Sequence, residues 1–282
     1  VSDVRIAPLT QTTWSQKTAA DTGIAACYNY YTPPYGDGNK TNYPAGCVAT
    51  TMAQLMRYYQ FPTTGVGTGG FTIYSDGSPL TYYLRGGDGA GSPYVWTNMP
   101  LAPPENPTTA QCRAIGALLA DAGATVNMQY ASGGSSSSLL DGKTALVNTF
   151  HFSNAIRGFN NNSTIGAGLV GMINPNLDAR CPVLLGIERS SGGHAVVADG
   201  YGYSASTLYH HLNLGWSGTA TAWYALPLID TGIYTYNVVD SCVYNVFTNG
   251  SGEIISGRVL DQIARPVVNA TGILLDNGLG RA

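Results

Sequence analysis

The feature that most limits what this chain can fold into is a change of hydrophobic period part-way along its 282 residues. Before Cys181 apolar residues recur at helical spacing. Met52, Leu55, Met56 and Tyr59 share one side of the stretch 49–59, which Phe61-Pro62 terminates. Thr108 or Thr109 suits the cap of a second helix carrying Ile115, Leu118, Leu119 and Ala122 and closed by Gly123. Residues 139–150 and 163–173 fit further helices. The stretch 63–104, rich in Gly, Tyr, Ser and Pro, reads as surface excursions with short strands. After Cys181 the period becomes two: "CPVLLGIER", "HAVVADGYGY", "TLYHHLNLGW" and "AWYALPL" are short β-rich runs punctuated by Gly and Ser, as in an antiparallel sheet. Helices first and strands second predict an α+β fold, a mainly helical N-terminal lobe packed on an antiparallel β-sheet lobe.

Composition removes several classes of function. Charged residues are 10% of the chain, against roughly 25% in an average globular protein. The net charge of -3 is spread without acidic or basic runs, so the electrostatic footprint of a nucleic-acid or anionic-membrane partner is missing. No apolar run approaches the roughly 20 residues of a membrane-spanning helix, and no membrane insertion is expected. Residues 1–20 lack a basic start followed by an apolar stretch, so the chain is expected to begin after any signal peptide. Few charges and abundant Gly, Ser, Thr, Asn and Tyr point to an extracellular protein. Cys27, Cys47, Cys112, Cys181 and Cys242 form an odd set without a CxxC pair or a Cys/His cluster at zinc-ligand spacing. No metal or other cofactor is expected. In an oxidising compartment two disulfides and one free thiol fit the count; in a reducing one, five buried thiols do.

Cys47 follows Gly46 where the first helical pattern begins. A cysteine on an apolar segment is most often a small core residue. At a helix N-terminus, however, free backbone N–H groups and the positive end of the dipole favour the thiolate, and Gly46 permits an abrupt entry that leaves the sulfur accessible. A thiolate nucleophile needs an imidazole to hold the ion pair and later protonate the leaving amine. Of four histidines, His151 sits in a helix-end segment and reads as structural. His210 and His211 are adjacent, so in a strand they face opposite sides and at most one reaches a given site. His194 follows Ser190-Ser191-Gly192-Gly193, which leaves room for a substrate backbone, and opens the apolar strand "AVVADGY". Its separation from Cys47 lies within the roughly 130 to 150 positions between nucleophile and base in papain-type enzymes. Asn213, on the next strand, is placed by antiparallel pairing beside His194, where it would orient the imidazole. Trp216 would cover the site.

These stretches resemble, in the right order, the streptopain family of secreted bacterial cysteine peptidases. "GCVATTMAQLMRYYQFP" looks like that family's active-site helix, "GGHAVVADGY" like its histidine strand and "YHHLNLGWSG" like its Asn/Trp-containing strand. "TTWSQ" followed by "CYNYYTP" resembles its amino-terminal segment, so the likeness runs from about Pro8 to Phe247. The resemblance implies a papain-like two-lobed fold and endopeptidase activity through an acyl-enzyme, with Cys47 as nucleophile and His194 as base. It also implies that Gln16 donates its side-chain amide to an oxyanion hole beside the Cys47 N–H, and that the precursor carries an inhibitory propeptide. "YASGGSSSS" matches a Gly/Ser loop of the family. Ser135 and Ser136, with Gly46, Gly192 and Gly193, are expected to receive an extended protein or peptide substrate. The likeness departs at Leu214, where family members commonly carry tryptophan. It departs again in "LIDTGIYTYN", short where the best-known member has a cleft-shaping Gly-rich loop.

Two other readings use the same residues. A transglutaminase-like acyl transferase also needs Cys, His and a third polar group, with an amine replacing water as acceptor. A catalytically dead binding or adhesion domain would keep the fold without the chemistry. The "TNGSGE" break near Asn249 separates a domain of residues 1–249 from a β-rich segment, 250–282, that alternates like two strands around a turn. That segment resembles the opening of a small β-sandwich module of the kind appended to secreted bacterial enzymes.

Overall fold

The computed structural model describes residues 1–161, 163–256, 261, 262 and 267. Its elements are β1 (Asp3–Ile6), α1 (Cys47–Tyr59), β2 (Gly70–Ser75), β3 (Ser78–Tyr83), α2 (Thr109–Thr125), β4 (Gln129–Tyr130), α3 (Asp141–Asn148), β5 (Asn154–Phe159), α4 (Gly168–Asp178), β6 (Val183–Arg189), β7 (Gly192–Ser204), β8 (Thr207–Asn213), β9 (Ala222–Tyr224), β10 (Ile229–Asp230), β11 (Thr235–Tyr236) and β12 (Val238–Phe247). Seven strands form the main sheet in the order β5-β12-β6-β7-β8-β9, with β1 also paired to β7. Every pairing in it is antiparallel.

Strand periodicity of two sorts the sheet's side chains into two cores. Leu184, Ala195, Val197 and Val243 join the cluster built by α1 and α2. Val183, Leu185, Ile187, Val196 and Ala198 join the cluster built by α4 on the opposite face. The central strands are thus covered on both sides, which is why "VLLGI" and "AVVA" run apolar without alternation. Helix α1 buries every residue from Val48 to Met56. Each large apolar side chain so buried contributes roughly 1.5–3 kcal/mol. Its C-terminus closes on Gln60 in the left-handed conformation, ahead of Phe61-Pro62. Helix α2 opens with a capping box: Thr108 Oγ1 accepts from Gln111 N–H, and Gln111 Oε1 accepts from Thr108 N–H.

The α+β class expected from the sequence is what the chain adopts, but its N-terminal part is less helical than the spacing predicts. Between β1 and β5 only α1, α2 and α3 are α-helices; the rest is the sheet β3-β2-β4, two 3-10 turns (Ala19–Asp21 and Trp96–Asn98) and long irregular segments. Gly- and Pro-rich stretches there turn too often to sustain a helix. Helix α4 also lies further along the chain than 163–173, because it runs through Pro175. The Asn176 side chain anchors that turn, donating to Met172 O at 2.9 Å and to Asn245 Oδ1 at 2.9 Å. Of the two strands expected within 250–282, most residues lie outside the described ones. Residues 250–256 carry no strand and lie along the domain, with Gly252 O accepting from Asn154 Nδ2 at 3.2 Å and Ser256 Oγ donating to Asp178 at 2.6 Å.

Candidate active site

The junction of α1 with the sheet is set by where β8 stops. β8 pairs with β7 only from Val197 onward, so Ala195 has no strand partner on that edge. Helix α1 takes both of its backbone groups. The Ala195 carbonyl accepts from Thr51 Oγ1 at 2.9 Å, and its N–H points at the Cys47 sulfur. Thr51 is four residues after Cys47, on the same face of α1. The nucleophile candidate and the residue beside His194 are thereby clamped together.

Gly46 caps α1 at φ 90°, a conformation that disfavours any residue with a Cβ. A Cβ there would also lie 2.7 Å from Met128 Sδ and 3.0 Å from Ser135 O. With no side-chain cap on α1, the first-turn N–H groups of Cys47 and Val48 also point at the Cys47 sulfur. Burial pushes the Cys47 thiol up, and these three N–H groups oppose it. Burial likewise lowers the His194 imidazole to about 4, opposed by a bond from Nε2 to Leu214 O at 2.7 Å. Both shifts favour the neutral forms of thiol and imidazole.

Cys47 and His194 line one cleft of about 550 Å³, together with Val48, Ser136, Gly193 and Ala195. Trp216 lies against the His194 ring with centroids 4.7 Å apart. Asn213 differs from expectation. Its Nδ2 donates to Thr12 O at 2.7 Å and its Oδ1 accepts from Gly215 N–H at 3.1 Å. The imidazole partner is therefore the Leu214 carbonyl, one residue on, because Asn213 is committed to holding the turn in which that carbonyl sits. Gln16 lies beside the start of α1: its carbonyl accepts from Ala45 N–H at 2.8 Å, two residues before Cys47. Ser135 is buried with its hydroxyl unpartnered, and Ser136 pairs with Gln129 through both backbone groups. Gly192 and Gly193 open β7 directly before His194.

Sequence reasoning missed Tyr236 of β11, buried with its ring 6.3 Å from that of His194. It also missed Thr51, Ala195 and the two acids of the cleft, Glu188 and Asp240. Only Thr51 left a signal, its four-residue spacing from Cys47. His210 and His211 lie away from the cleft: His210 Nε2 meets Asn174 Oδ1 at 2.8 Å and His211 Nδ1 meets Asp199 Oδ1 at 2.6 Å. All five cysteines carry free thiols.

A cysteine at a helix N-terminus facing a histidine on an antiparallel sheet, across one cleft, is the arrangement of the thiol peptidases. The chain belongs to the Peptidase C10 family, whose family model matches residues 23–224. It is 30% identical over 187 residues to the thiol protease/hemagglutinin PrtT of Porphyromonas gingivalis, covering 66% of this chain and 21% of that protein. It is 27% identical over 187 residues to streptopain of Streptococcus pyogenes, covering 66% of this chain and 46% of that protein. The chain thus spans under half the length of both relatives. Among solved structures it resembles the active wild-type interpain A cysteine protease of Prevotella intermedia, with a TM-score of 0.69 and 26% identity, over 86% of this chain and 95% of that one. The resemblance to the streptopain family read from the motifs is borne out.

Proposed function

We propose that this chain is a secreted bacterial cysteine endopeptidase with a papain-like, two-lobed catalytic domain spanning residues 1–249. The observation that carries the reading is the Ala195 clamp, which holds Cys47 and His194 in one cleft while supplying an N–H to the sulfur. Burial disfavours either charge alone, yet moving the proton from Cys47 to His194 creates two opposite charges in the one cleft. The N–H groups of Ala195, Val48 and Cys47 stabilise the sulfur's share, and the Leu214 carbonyl the imidazolium's. The thiolate attacks the scissile carbonyl, and its oxyanion is received by the Cys47 N–H and the Gln16 amide. His194 then protonates the leaving amine, and water activated by the same imidazole releases the acyl group. Trp216 and Tyr236 shield the imidazole from bulk water, and Asn213 acts as a positioning residue through the turn.

The substrate backbone is read as lying along Ser135-Ser136 and Gly192-Gly193, with Gly46 giving the nucleophile its approach. One solved relative is a prointerpain A fragment, and an inhibitory propeptide is proposed for the precursor of this chain as well. Residues 250–282 are proposed to be a separate β-rich segment, so a chain ending at Asn249 should keep its activity while melting lower for loss of the Asn154 and Asp178 contacts.

The test is to map the fragments of a denatured protein substrate, with and without added primary amine. Internal cleavage with free carboxyl termini at unchanged rate supports hydrolysis. Amine incorporated into the new termini would establish the acyl-transferase reading instead, and an intact substrate with an unreactive Cys47 the dead-domain one.

A further inference from the structure

The cleft holds two carboxylates that peptide hydrolysis does not use. Glu188 of β6 lies opposite Gly193 of β7, one position from the pair Ile187–His194. Asp240 of β12 sits where that strand's register with β6 shifts between Val239 and Ser241. Such a bulge re-aims a side chain, and Asp240 lines the cleft. Two glycines leave the acids their space. A Cβ on Gly193 would collide with the Glu188 carboxylate; one on Gly186 would collide with the Ser241 hydroxyl and lie 3.2 Å from Asp240 Oδ1.

Among the described residues no ion pair includes Glu188 or Asp240. Burial and then the charge of Asp240 push the Glu188 carboxyl up, and Glu188 in turn acts on the charge of Cys47. Arg189, next in the chain, is engaged elsewhere, its guanidinium 4.2 Å from the Tyr234 ring centre. Two like charges sharing a partly desolvated cleft disfavour each other until a cation joins them. The hydroxyl of Ser137, on the same cleft, is buried without a partner and offers a further acceptor. Leu139, Leu140 and Phe159 give the cleft an apolar wall, beside the polar Ser136, Ser138, Asn161 and Ser241. An apolar wall and two acids in one cleft fit a side chain with a hydrocarbon stem and a cationic head.

We propose that Glu188 and Asp240 form a specificity subsite that selects peptides bearing a lysine or arginine side chain close to the scissile bond. The proposal rests on the peptidase reading above. The acids attract the cationic head, while the stem packs along Leu139, Leu140 and Phe159, so the preference acts on productive binding and not on the chemical step.

The experiment uses matched fluorogenic peptides in which lysine or norleucine, its uncharged near-isostere, is moved through each position flanking the cleaved bond. At one position the wild-type protein should favour lysine by roughly 10- to 100-fold in kcat/KM. Glu188→Gln and Asp240→Asn should each reduce that ratio, and the double variant should abolish it. Turnover of the norleucine peptide should change far less than that of the lysine peptide, and each variant's melting temperature reports that it is folded. Equal cleavage of lysine and norleucine peptides at every position overturns the proposal and leaves the peptidase reading standing. A lysine preference that survives in both single variants and the double overturns it as well. Failure to cleave any peptide, with Cys47 unreactive to iodoacetamide, removes both readings.

Discussion

His194 and His210 lie on neighbouring strands of one sheet, both buried and both lowered to about 4 by burial, yet they face different things. His194 looks into the cleft that contains Cys47, with a backbone carbonyl behind it and an indole over its ring. His210 looks to the α4 side, with Asn174 on Nε2 and nothing on Nδ1, which is buried without a partner. The difference teaches that burial keeps an imidazole neutral on either side of the sheet. Only a nucleophile opposite it gives the proton somewhere to come from.

The largest expected effect removes what His194 faces. Cys47→Ala should lower peptide turnover by at least about 10⁴-fold, the scale on which a lost nucleophile acts, with an unchanged melting temperature. Comparable residual turnover would sink the assignment. His194→Ala should be nearly as damaging, whereas His210→Gln and His211→Gln should keep turnover within about threefold, since neither reaches the cleft. If one of these is the inactive variant, the comparison between the two histidines is drawn the wrong way round.

Gln16→Ala should cost on the order of 100- to 1,000-fold in kcat, the usual loss for one oxyanion donor. Cys47 should still be alkylated in that variant, because its sulfur is held by backbone N–H groups. Unchanged turnover would leave Gln16 only its backbone bond to Ala45.

The smallest effect sharpens the comparison through pH. Between about pH 6.5 and 4 the unfolded chain binds a proton at His210 that the folded chain refuses. Stability therefore falls as pH drops through that window. His210→Gln removes the difference, so its melting temperature should decline less steeply with acid than the wild type's. Parallel slopes would mean that His210 is not held neutral.

The sequence made some of this legible and hid the rest for physical reasons. Cys47 at a helix mouth and His194 opening an apolar strand were readable because each is a distinctive letter at the boundary of a clear period. Asn213 was expected to orient the imidazole, but the group that bonds it is the carbonyl of Leu214, and a backbone carbonyl has no letter. The helical content of the N-terminal part was overread because buried stretches such as α1 are unmistakable, while hairpins like β2-β3 lie on the surface with little apolar signal. Tyr236, Glu188 and Asp240 reach the cleft from strands far apart in the chain, and only the sheet order β12-β6-β7 brings the two acids to His194.

The central claim, that Cys47 is a nucleophile coupled to His194, is tested most directly by the native protein's reaction with iodoacetamide at neutral pH, followed by peptide mapping. Cys27, Cys112, Cys181 and Cys242 are buried, and Cys47 alone opens to the cleft. One label is expected, on Cys47, forming markedly more slowly in His194→Ala and at the wild-type rate in His210→Gln. An unlabelled Cys47, or one whose labelling rate ignores the loss of His194, would contradict the account.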